Sequence, residues 1–453
     1  MKPIRIKPVQ FIPVSFLAAI LAGTLLLMLP FATVSGGDTS PLTAAFTATT
    51  SVCVTGLVVV DTYANWSFFG QLIILLLIQI GGLGVVAVGA MVLLIGRKKF
   101  TLTDRQLLGN SLNVDKTRGL LLFLRRIFHG VFVVELTGAV LYSIKLIPLL
   151  GLKKGIWASL FQSVSAFCNA GMDVIGPNSM MDFQGSWYMM GITMALIVLG
   201  GLGFVVWFDI IDSIKKGIQK KRPPAMVFDH LPVHSKLVLC MTGILLLAGT
   251  LIVLAAEYHN PDTMGNMPLG EKILNSLFQS VTFRTAGFAS VPQDKLTEVS
   301  CLAGYILMFI GGSPVGTAGG VKTVTAFLVL MNAFSYINRK ENVIFHRRVS
   351  EELMRKAAAV VSVSFIAVFI MSVLLTVTDQ LPLTNVIYEV VSALATVGLS
   401  RGVTPHLSLA GRIIIILSMY LGRIGPISMA FFFTRNTKTE NKIRHAEGTF
   451  YVG

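Results

Sequence analysis

Two stretches of this sequence share the run SLFQSV although more than a hundred residues separate them: ASLFQSVSAFCNAG (158–171) and NSLFQSVTFRTAG (275–287). Two further stretches have the same character, AAFTATTSVCVTG (44–56) and VIYEVVSALATVG (386–398). Each is a short apolar run that ends in glycine, and the four glycines follow one another at intervals of 115, 116 and 111 residues. A period of this length exceeds the repeat units of solenoid proteins. It predicts four whole structural modules in tandem.

The composition is that of a membrane protein. Of the 453 residues, 54% are hydrophobic and 13% are charged, and the mean hydropathy is +0.75. Soluble domains carry about 25% charged residues, so a water-soluble enzyme is excluded, and the hydrophobicity excludes a disordered chain. A spanning helix needs about 20 mostly apolar residues. The segments that meet this requirement lie at about 13–33, 66–95, 119–148, 186–214, 237–257, 299–335, 357–378 and 408–434.

The net charge of +15 has a clear topological pattern. Most of the 37 lysines and arginines lie in the two terminal segments and in basic stretches after every second apolar segment, around 97–118, 215–236 and 339–356. Short cytoplasmic loops carry such an excess of cations. We therefore expect both termini in the cytoplasm, a multi-pass protein in the cell membrane, and no nucleic-acid partner.

Each short apolar stretch lies between two apolar segments on the external side, where it predicts a re-entrant pore helix. Because every module has two full spans, all four modules have the same orientation and can be related by an axis along the membrane normal. The predicted fold is an all-α polytopic membrane protein of four tandem helix–pore-loop–helix modules with pseudo-fourfold symmetry about a central pore. The expected boundaries are 1–100, 101–222, 223–340 with a gate loop, and 341–435 for the modules, and 436–453 for a cytoplasmic tail.

The residues that follow each pore helix predict a selectivity filter of extended backbone. Glycine tolerates positive φ, so the chain can turn a carbonyl toward the axis, and a ring of carbonyls can replace the hydration shell of K⁺. The alternative for each glycine is an ordinary helix C-cap. The predicted ion-binding residues are Val54, Thr55, Gly56, Asn169, Ala170, Gly171, Thr285, Ala286, Gly287, Thr396, Val397 and Gly398.

A gate is predicted from IGGSPVGTAGGVKT (310–323), which interrupts the second span of the third module. A helix interior loses about 1 kcal/mol per glycine and about 3 per proline, so this segment should unwind below the filter. The glycines in the other three second spans are interpreted as close-packing residues. Charges at membrane depth are usually functional, although a lysine or arginine there can also extend to the cytoplasmic surface. The predicted gate residues are Gly311, Gly312, Ser313, Pro314, Gly316, Gly319, Gly320, Lys322 and Arg423.

Several of these motifs together resemble the Ktr/Trk/HKT superfamily of potassium transporters: VTGLVVVDT (54–62), NAG (169–171), TFRTAGF (282–288), TVGLSRGVTP (396–405) and LGRIGP (421–426). The resemblance covers nearly the whole chain and is strongest to the membrane subunit of bacterial Ktr systems, of the KtrB or KtrD type. It implies K⁺ uptake through a pore in each subunit of a homodimer. It also implies a cytosolic ring of nucleotide-binding RCK subunits, of the KtrA or KtrC type, which would bind ATP or ADP and gate the pore.

The resemblance further implies that 310–323 is the gate loop and that Arg423 lies near it. Na⁺-passing relatives can have serine at the first filter glycine, so Gly56 favours K⁺, whereas Pro314 stands where some relatives have a small polar residue.

Three alternatives remain open from the sequence. Na⁺ could be cotransported or could merely stimulate K⁺ uptake, and the chain could be a Na⁺ or mixed Na⁺/K⁺ conductor of the same fold. It could also be a membrane scaffold whose loops only pack, in which case the four glycines should tolerate alanine. No phosphate-loop motif for nucleotide hydrolysis is present, and we expect neither an enzyme nor a cofactor within this chain.

Overall fold

The structure is a computed structural model that describes residues 8–38, 40–85, 87–90, 120–221, 223 and 226–425. The basic stretch 97–118, the cations at the amino terminus and the predicted cytoplasmic tail 436–453 lie outside the described residues.

Each module contains a first helix, a short pore helix and a second helix, in that order. The first helices are Pro8–Leu27, Leu120–Leu150, Val233–Glu257 and Glu351–Asp379. The pore helices are Pro41–Cys53, Leu152–Cys168, Leu269–Phe283 and Leu383–Leu394. The second helices are Phe68–Leu83, Trp187–Leu202, Glu298–Phe309 and Leu409–Ile424. The predicted all-α class with four helix–pore-loop–helix modules is therefore confirmed.

The repeat extends to the connections. A short helical turn precedes each second helix, and a serine or threonine then caps that helix by accepting a hydrogen bond from the backbone N–H three residues later. The turns are Thr62–Asn65, Met181–Phe183, Gln293–Lys295 and Thr404–His406. The caps are Ser67, Ser186, Thr297 and Ser408. Such caps satisfy N–H groups that a helix start leaves unpaired.

A few elements lie outside this pattern. They are the turn Pro30–Ala32, the helices Phe204–Gln219, Met226–Asp229 and Thr323–Ile337, and the strands Val343–Ile344 and Arg347–Arg348, which pair antiparallel.

The distribution of polar side chains is inverted relative to a soluble protein. The first helices expose large apolar side chains such as Phe132, Leu247 and Phe369. The pore helices bury polar side chains at the centre, as Thr47, Thr50 and neighbouring residues show in the first of them. Lipid accepts the apolar exterior, while the polar interior is the arrangement expected around an aqueous path.

The second helices differ from the sequence prediction. We expected continuous spans at 66–95, 186–214 and 408–434, but these helices end at Leu83, Leu202 and Ile424. Each is followed by a glycine with φ near +90°, at Gly84, Gly203 and Gly425, a conformation that ends a right-handed helix. Within the described part of the chain, three continuous helices are long and apolar enough to span a membrane, and a fourth span is bent by 97° between Trp187–Leu202 and Phe204–Gln219.

Candidate ion pathway

A short non-helical segment follows each pore helix, and we call these segments the first to fourth axial strands: 54–57, 169–172, 285–288 and 396–399. The four predicted filter glycines have positive φ, and so does the residue two positions before each of them. The φ pairs are +55° and +100° at Val54 and Gly56, +60° and +66° at Asn169 and Gly171, +68° and +83° at Thr285 and Gly287, and +52° and +95° at Thr396 and Gly398. The prediction of a simple extended backbone is wrong at these earlier positions.

The left-handed conformation of the earlier residue follows from the way the helices end. Val54 and Asn169 are the left-handed caps of their pore helices. The next residue donates to a carbonyl five positions back, as in the bond from Thr55 N to Thr50 O at 2.8 Å, which is the Schellman pattern. The cap therefore falls two residues before the glycine. The glycine supplies a second left-handed turn, which lets successive carbonyls face one side of the strand.

The four glycines form a closed ring of neighbours. A Cβ placed on Gly56 would lie 2.5 Å from the carbonyl oxygen of Ala170 in the second strand. A Cβ on Gly171 would lie 2.6 Å from Gly287 Cα, and a Cβ on Gly287 would lie 2.6 Å from the carbonyl oxygen of Val397. A Cβ on Gly398 would collide with the carbonyl of Thr55, which closes the ring. The fold thus brings all four predicted filter strands together on one axis.

Hydroxyl groups of the pore helices brace these strands, although none of them is among the predicted filter residues. Thr50 Oγ1 accepts from Gly56 N at 2.9 Å, and Ser392 Oγ accepts from Gly398 N at 3.1 Å. In the other two modules the hydroxyl donates to the carbonyl of the residue after the glycine, from Ser165 to Met172 at 2.5 Å and from Thr282 to Phe288 at 2.7 Å. A serine or threonine five or six residues before each repeated glycine was the available signal.

Three threonines of the strands carry buried hydroxyls without a hydrogen-bond partner: Thr55, Thr285 and Thr396. A buried polar oxygen normally has a partner, and an orphan of this kind calls for an explanation. Oxygen atoms are also the ligands that hard cations prefer. These hydroxyls and the strand carbonyls could therefore serve a cation on the axis.

The predicted gate loop forms a closed excursion from the second helix of the third module. Its two ends are joined by backbone bonds, from Gly311 N to Val321 O and from Thr323 N to Gly312 O, each at 3.0 Å. Ile310 and Val321 form a parallel bridge. The loop is consequently a single folded unit between Phe309 and Thr323.

The second module holds one side of this loop. Ser313 N donates to Gly201 O at 2.9 Å, and Phe204 N donates to Val315 O at 2.9 Å, both at the break in the second helix. Thr317 Oγ1 donates to Phe167 O at 3.1 Å, at the end of the second pore helix. These bonds satisfy backbone groups that an unwound segment would otherwise leave unpaired at membrane depth.

The loop also lies directly against the fourth strand. A Cβ on Gly319 would lie 2.5 Å from the carbonyl oxygen of Ala395 and would collide with Thr396 Oγ1. Glycine is required here by close approach rather than by flexibility. The loop therefore lies next to the fourth strand, and its expected position below the filter stays a prediction.

Both predicted gate cations contact loop carbonyls. Arg423 Nη1 donates to Thr317 O at 2.7 Å, and its Nη2 donates to Gly81 O of the first module at 2.5 Å. Lys322 Nζ donates to Ala318 O at 2.7 Å. Arg423 thus joins the loop to the first module, and neither side chain is directed only toward the cytoplasmic surface.

One further arginine, Arg284, contacts the loop, although it is not among the predicted gate residues. Its Nη2 donates to Gly311 O at 3.2 Å. The buried carboxyl of Glu135, by contrast, accepts from Gln79 Nε2 of the first module at 3.1 Å, which fits a polar contact between helices.

The comparisons with known proteins agree with this architecture. A family model described as a cation transport protein, TrkH, matches residues 6–443. The chain is 36% identical to the Ktr system potassium uptake protein B of Bacillus subtilis, over 100% of this chain and 98% of that protein. It is 35% identical to the potassium/sodium uptake protein NtpJ of Enterococcus hirae, over 99% and 98%. The crystal structure of the potassium transporter TrkH from Vibrio parahaemolyticus shares the fold, with a TM-score of 0.72 at 17% identity over 93% of this chain and 85% of that one. The chain therefore belongs to the TrkH family of cation transport proteins and is a multi-pass membrane protein.

Proposed function

We propose that this chain takes up K⁺ across the cell membrane through a selectivity filter formed by the four axial strands. The observation that carries the proposal is the closed ring of Gly56, Gly171, Gly287 and Gly398, with three unpartnered threonine hydroxyls beside it. Strand carbonyls and these hydroxyls would replace the hydration shell of the ion. A membrane potential drives the entry of a cation with about 2.3 kcal/mol per charge per 100 mV.

K⁺ is the ion that the names of the relatives support best. Two relatives, at 36% and 30% identity, are named Ktr system potassium uptake proteins B and D. The name of NtpJ, a potassium/sodium uptake protein, supports the second candidate function, a mixed K⁺ and Na⁺ conductor. Na⁺ dependence of K⁺ uptake falls under the same test.

The loop between Phe309 and Thr323 is proposed as the gate. Its position against Ala395 and Thr396 places it beside the fourth strand. Arg423 and Lys322 hold its carbonyls at Thr317 and Ala318. Besides these side chains, a few backbone bonds to the second module hold the loop. A loop held in this way can change its position without unfolding the helices around it.

Regulation by a cytosolic nucleotide-binding ring, and assembly as a homodimer, are proposed from the relatives. Two relatives are named proteins B and D of a Ktr system, and the word "system" implies that such a protein works together with other subunits. The short hairpin at Val343–Arg348 exposes Arg347 and Arg348 on the predicted cytoplasmic side. The ring, rather than this chain, would bind ATP or ADP, and both termini would be cytoplasmic.

Reconstitution tests the central proposal. The purified chain in liposomes should admit K⁺ when a potential, negative inside, is imposed, and the same chain should restore growth on low K⁺ to cells that lack K⁺ uptake. Flux of Na⁺ equal to that of K⁺ would favour the mixed conductor. Flux of neither ion above that of protein-free liposomes would overturn the transport proposal and favour a scaffold.

A further inference from the structure

Arg284 is a buried cation immediately behind the third axial strand. Only 8% of its surface is exposed, and it directly precedes the left-handed residue Thr285. An ionised side chain at membrane depth is costly unless carbonyls or an opposite charge receive its donors. The carbonyl that receives one of them is that of Gly311, the first glycine of the loop, at 3.2 Å from Nη2.

The arginine is specific to the module that contains the loop. The residues at the same repeat position are Cys53, Cys168 and Ala395, which are small and buried. The third strand also begins differently from the other three, because Ala286 N donates to Thr282 O four positions back. In the first strand, for comparison, the corresponding bond reaches five positions back, from Thr55 to Thr50.

Gly311 connects this arginine to the whole loop. Its backbone N–H donates to Val321 O across the two ends of the loop. A Cβ on Gly311 would lie 3.0 Å from Thr285 Cγ2, so the loop and the third strand are in direct contact at this point. Movement of the loop away from the axis must therefore break or carry along the bond to Arg284.

We propose that Arg284 is a positioning residue that ties the third filter strand to the gate loop and holds the loop in place beside the axis. It holds the end of the loop at Gly311, whereas Arg423 holds the middle of the loop at Thr317. The tie fixes the position of the loop, while the third strand keeps its own support from Thr282, whose hydroxyl donates to Phe288 O. This inference rests on the proposed function of the loop as a gate.

The test compares four chains in liposomes: the parent, Arg284→Gln, a deletion of residues 312–319, and the combination of both changes. We expect Arg284→Gln to raise K⁺ flux about tenfold, because a hydrogen bond from a charged group is lost, with the ratio of K⁺ to Na⁺ flux unchanged. In the deletion background the same substitution should have no further effect. Arg284→Lys keeps the charge and a donor and should give an intermediate flux, and it replaces Arg284→Gln if that chain does not fold.

Arg412→Gln is the matched control, because Arg412 donates to the carbonyls of Leu407 and Pro405 and has no bond to the loop. It should leave flux as in the parent. An equal change of flux by Arg284→Gln with and without the loop would overturn the inference, as would a loss of selectivity in place of a change in gating. If the deletion itself leaves K⁺ flux unchanged, the gate assignment fails together with the inference. A faster deletion chain with no effect of Arg284→Gln in the parent background overturns the inference alone.

Discussion

Replacement of Gly287 by alanine should weaken ion selectivity without preventing folding. Gly287 has a φ of +83°, which costs a residue with a Cβ about 1–2 kcal/mol. The added methyl group would lie 2.6 Å from the carbonyl oxygen of Val397 and 2.9 Å from Gly171 Cα, whereas ordinary contact begins at 3.4 Å. Both neighbours belong to other axial strands, so relief of the clash must move the carbonyls that we propose as ion ligands.

The expected size follows from these energies. A loss of about 1.4 kcal/mol in the preference for K⁺ is a tenfold change in a binding ratio. We therefore expect the ratio of K⁺ to Na⁺ flux in liposomes to fall about tenfold in Gly287→Ala, and similarly for Ala or Ser at Gly56, Gly171 and Gly398.

Two other glycines separate the causes. Gly402 has a φ of +79° and Gly243 has an ordinary helical φ, and a Cβ on either would meet nothing within 4 Å. Gly402→Ala therefore tests backbone strain without crowding, and Gly243→Ala tests neither. Unchanged K⁺ and Na⁺ fluxes in all four ring variants would refute the assignment of these strands as a filter. A loss of selectivity in Gly243→Ala would show that the effect is not local to the ring.

The gate loop, a bracing hydroxyl and the predicted basic cytoplasmic side each lead to a further prediction. Deletion of 312–319 should give faster, poorly regulated K⁺ flux with the filter selectivity retained, and Arg423→Ala should partly reproduce this effect because Thr317 O and Gly81 O lose their donor. Flux into liposomes measures both effects. A deletion variant that folds and conducts no faster than the parent would contradict the assignment of the loop as a gate. Ser392→Ala should lower the free energy of unfolding by about 1–3 kcal/mol and reduce selectivity, because the buried N–H of Gly398 loses its acceptor. Thermal unfolding and flux should be compared with those of Ser364→Ala, because the Ser364 hydroxyl donates to Val360 O within the helix Glu351–Asp379. Copurification of a cytosolic nucleotide-binding subunit should weaken as salt rises if Arg347, Arg348 and Arg435 contribute to docking, and a complex that is indifferent to salt and to Arg347→Ala would remove the charge argument.

The sequence predicted the repeated part of the fold and missed what differs in detail. The four regularly spaced glycines located the pore helices. Each module ends its short apolar helix in the same way, so the apolar run, the terminal glycine and the spacing all recur. The left-handed residues before those glycines were not predicted, since no one residue type is common to all four of them: Val54, Asn169, Thr285 and Thr396. Their conformation is imposed by the helix ends and by the neighbouring strands, and no single strand encodes it.

The contact between Arg284 and the loop was missed for a related reason. Its sequence neighbours place it beside the third strand, but its partner Gly311 lies 27 residues away, and only the folded loop brings the two together. Arg423 was identified because a charge in an apolar span is conspicuous. Its hydrogen bond to Gly81 of the first module could not be predicted from the sequence of the fourth module, because the folded chain alone brings the two residues together.

The breaks in the second helices, by contrast, could have been predicted from pairs of glycines. We interpreted these glycines only as close-packing residues, which is correct for one glycine of each pair. Three of these helices carry two glycines three residues apart, at Gly81 and Gly84, Gly200 and Gly203, and Gly422 and Gly425. The first glycine of each pair does pack closely, because a Cβ there would collide with a carbonyl at the end of a pore helix, that of Val52, Phe167 or Leu394. The second glycine has a positive φ and ends the helix.

The second glycine of the pair has a different use in the second module. A Cβ on Gly203 would collide with the carbonyl of Pro314, so the loop occupies the space next to this break. Beyond Gly203 the chain turns by 97° into Phe204–Gln219, and Phe204 N donates to Val315 O of the loop. A straight second helix would continue through the volume that the loop fills. The break at Gly203 and the loop are therefore one structural feature: the second helix of the second module bends away at this glycine, and the loop of the third module takes the space that becomes available.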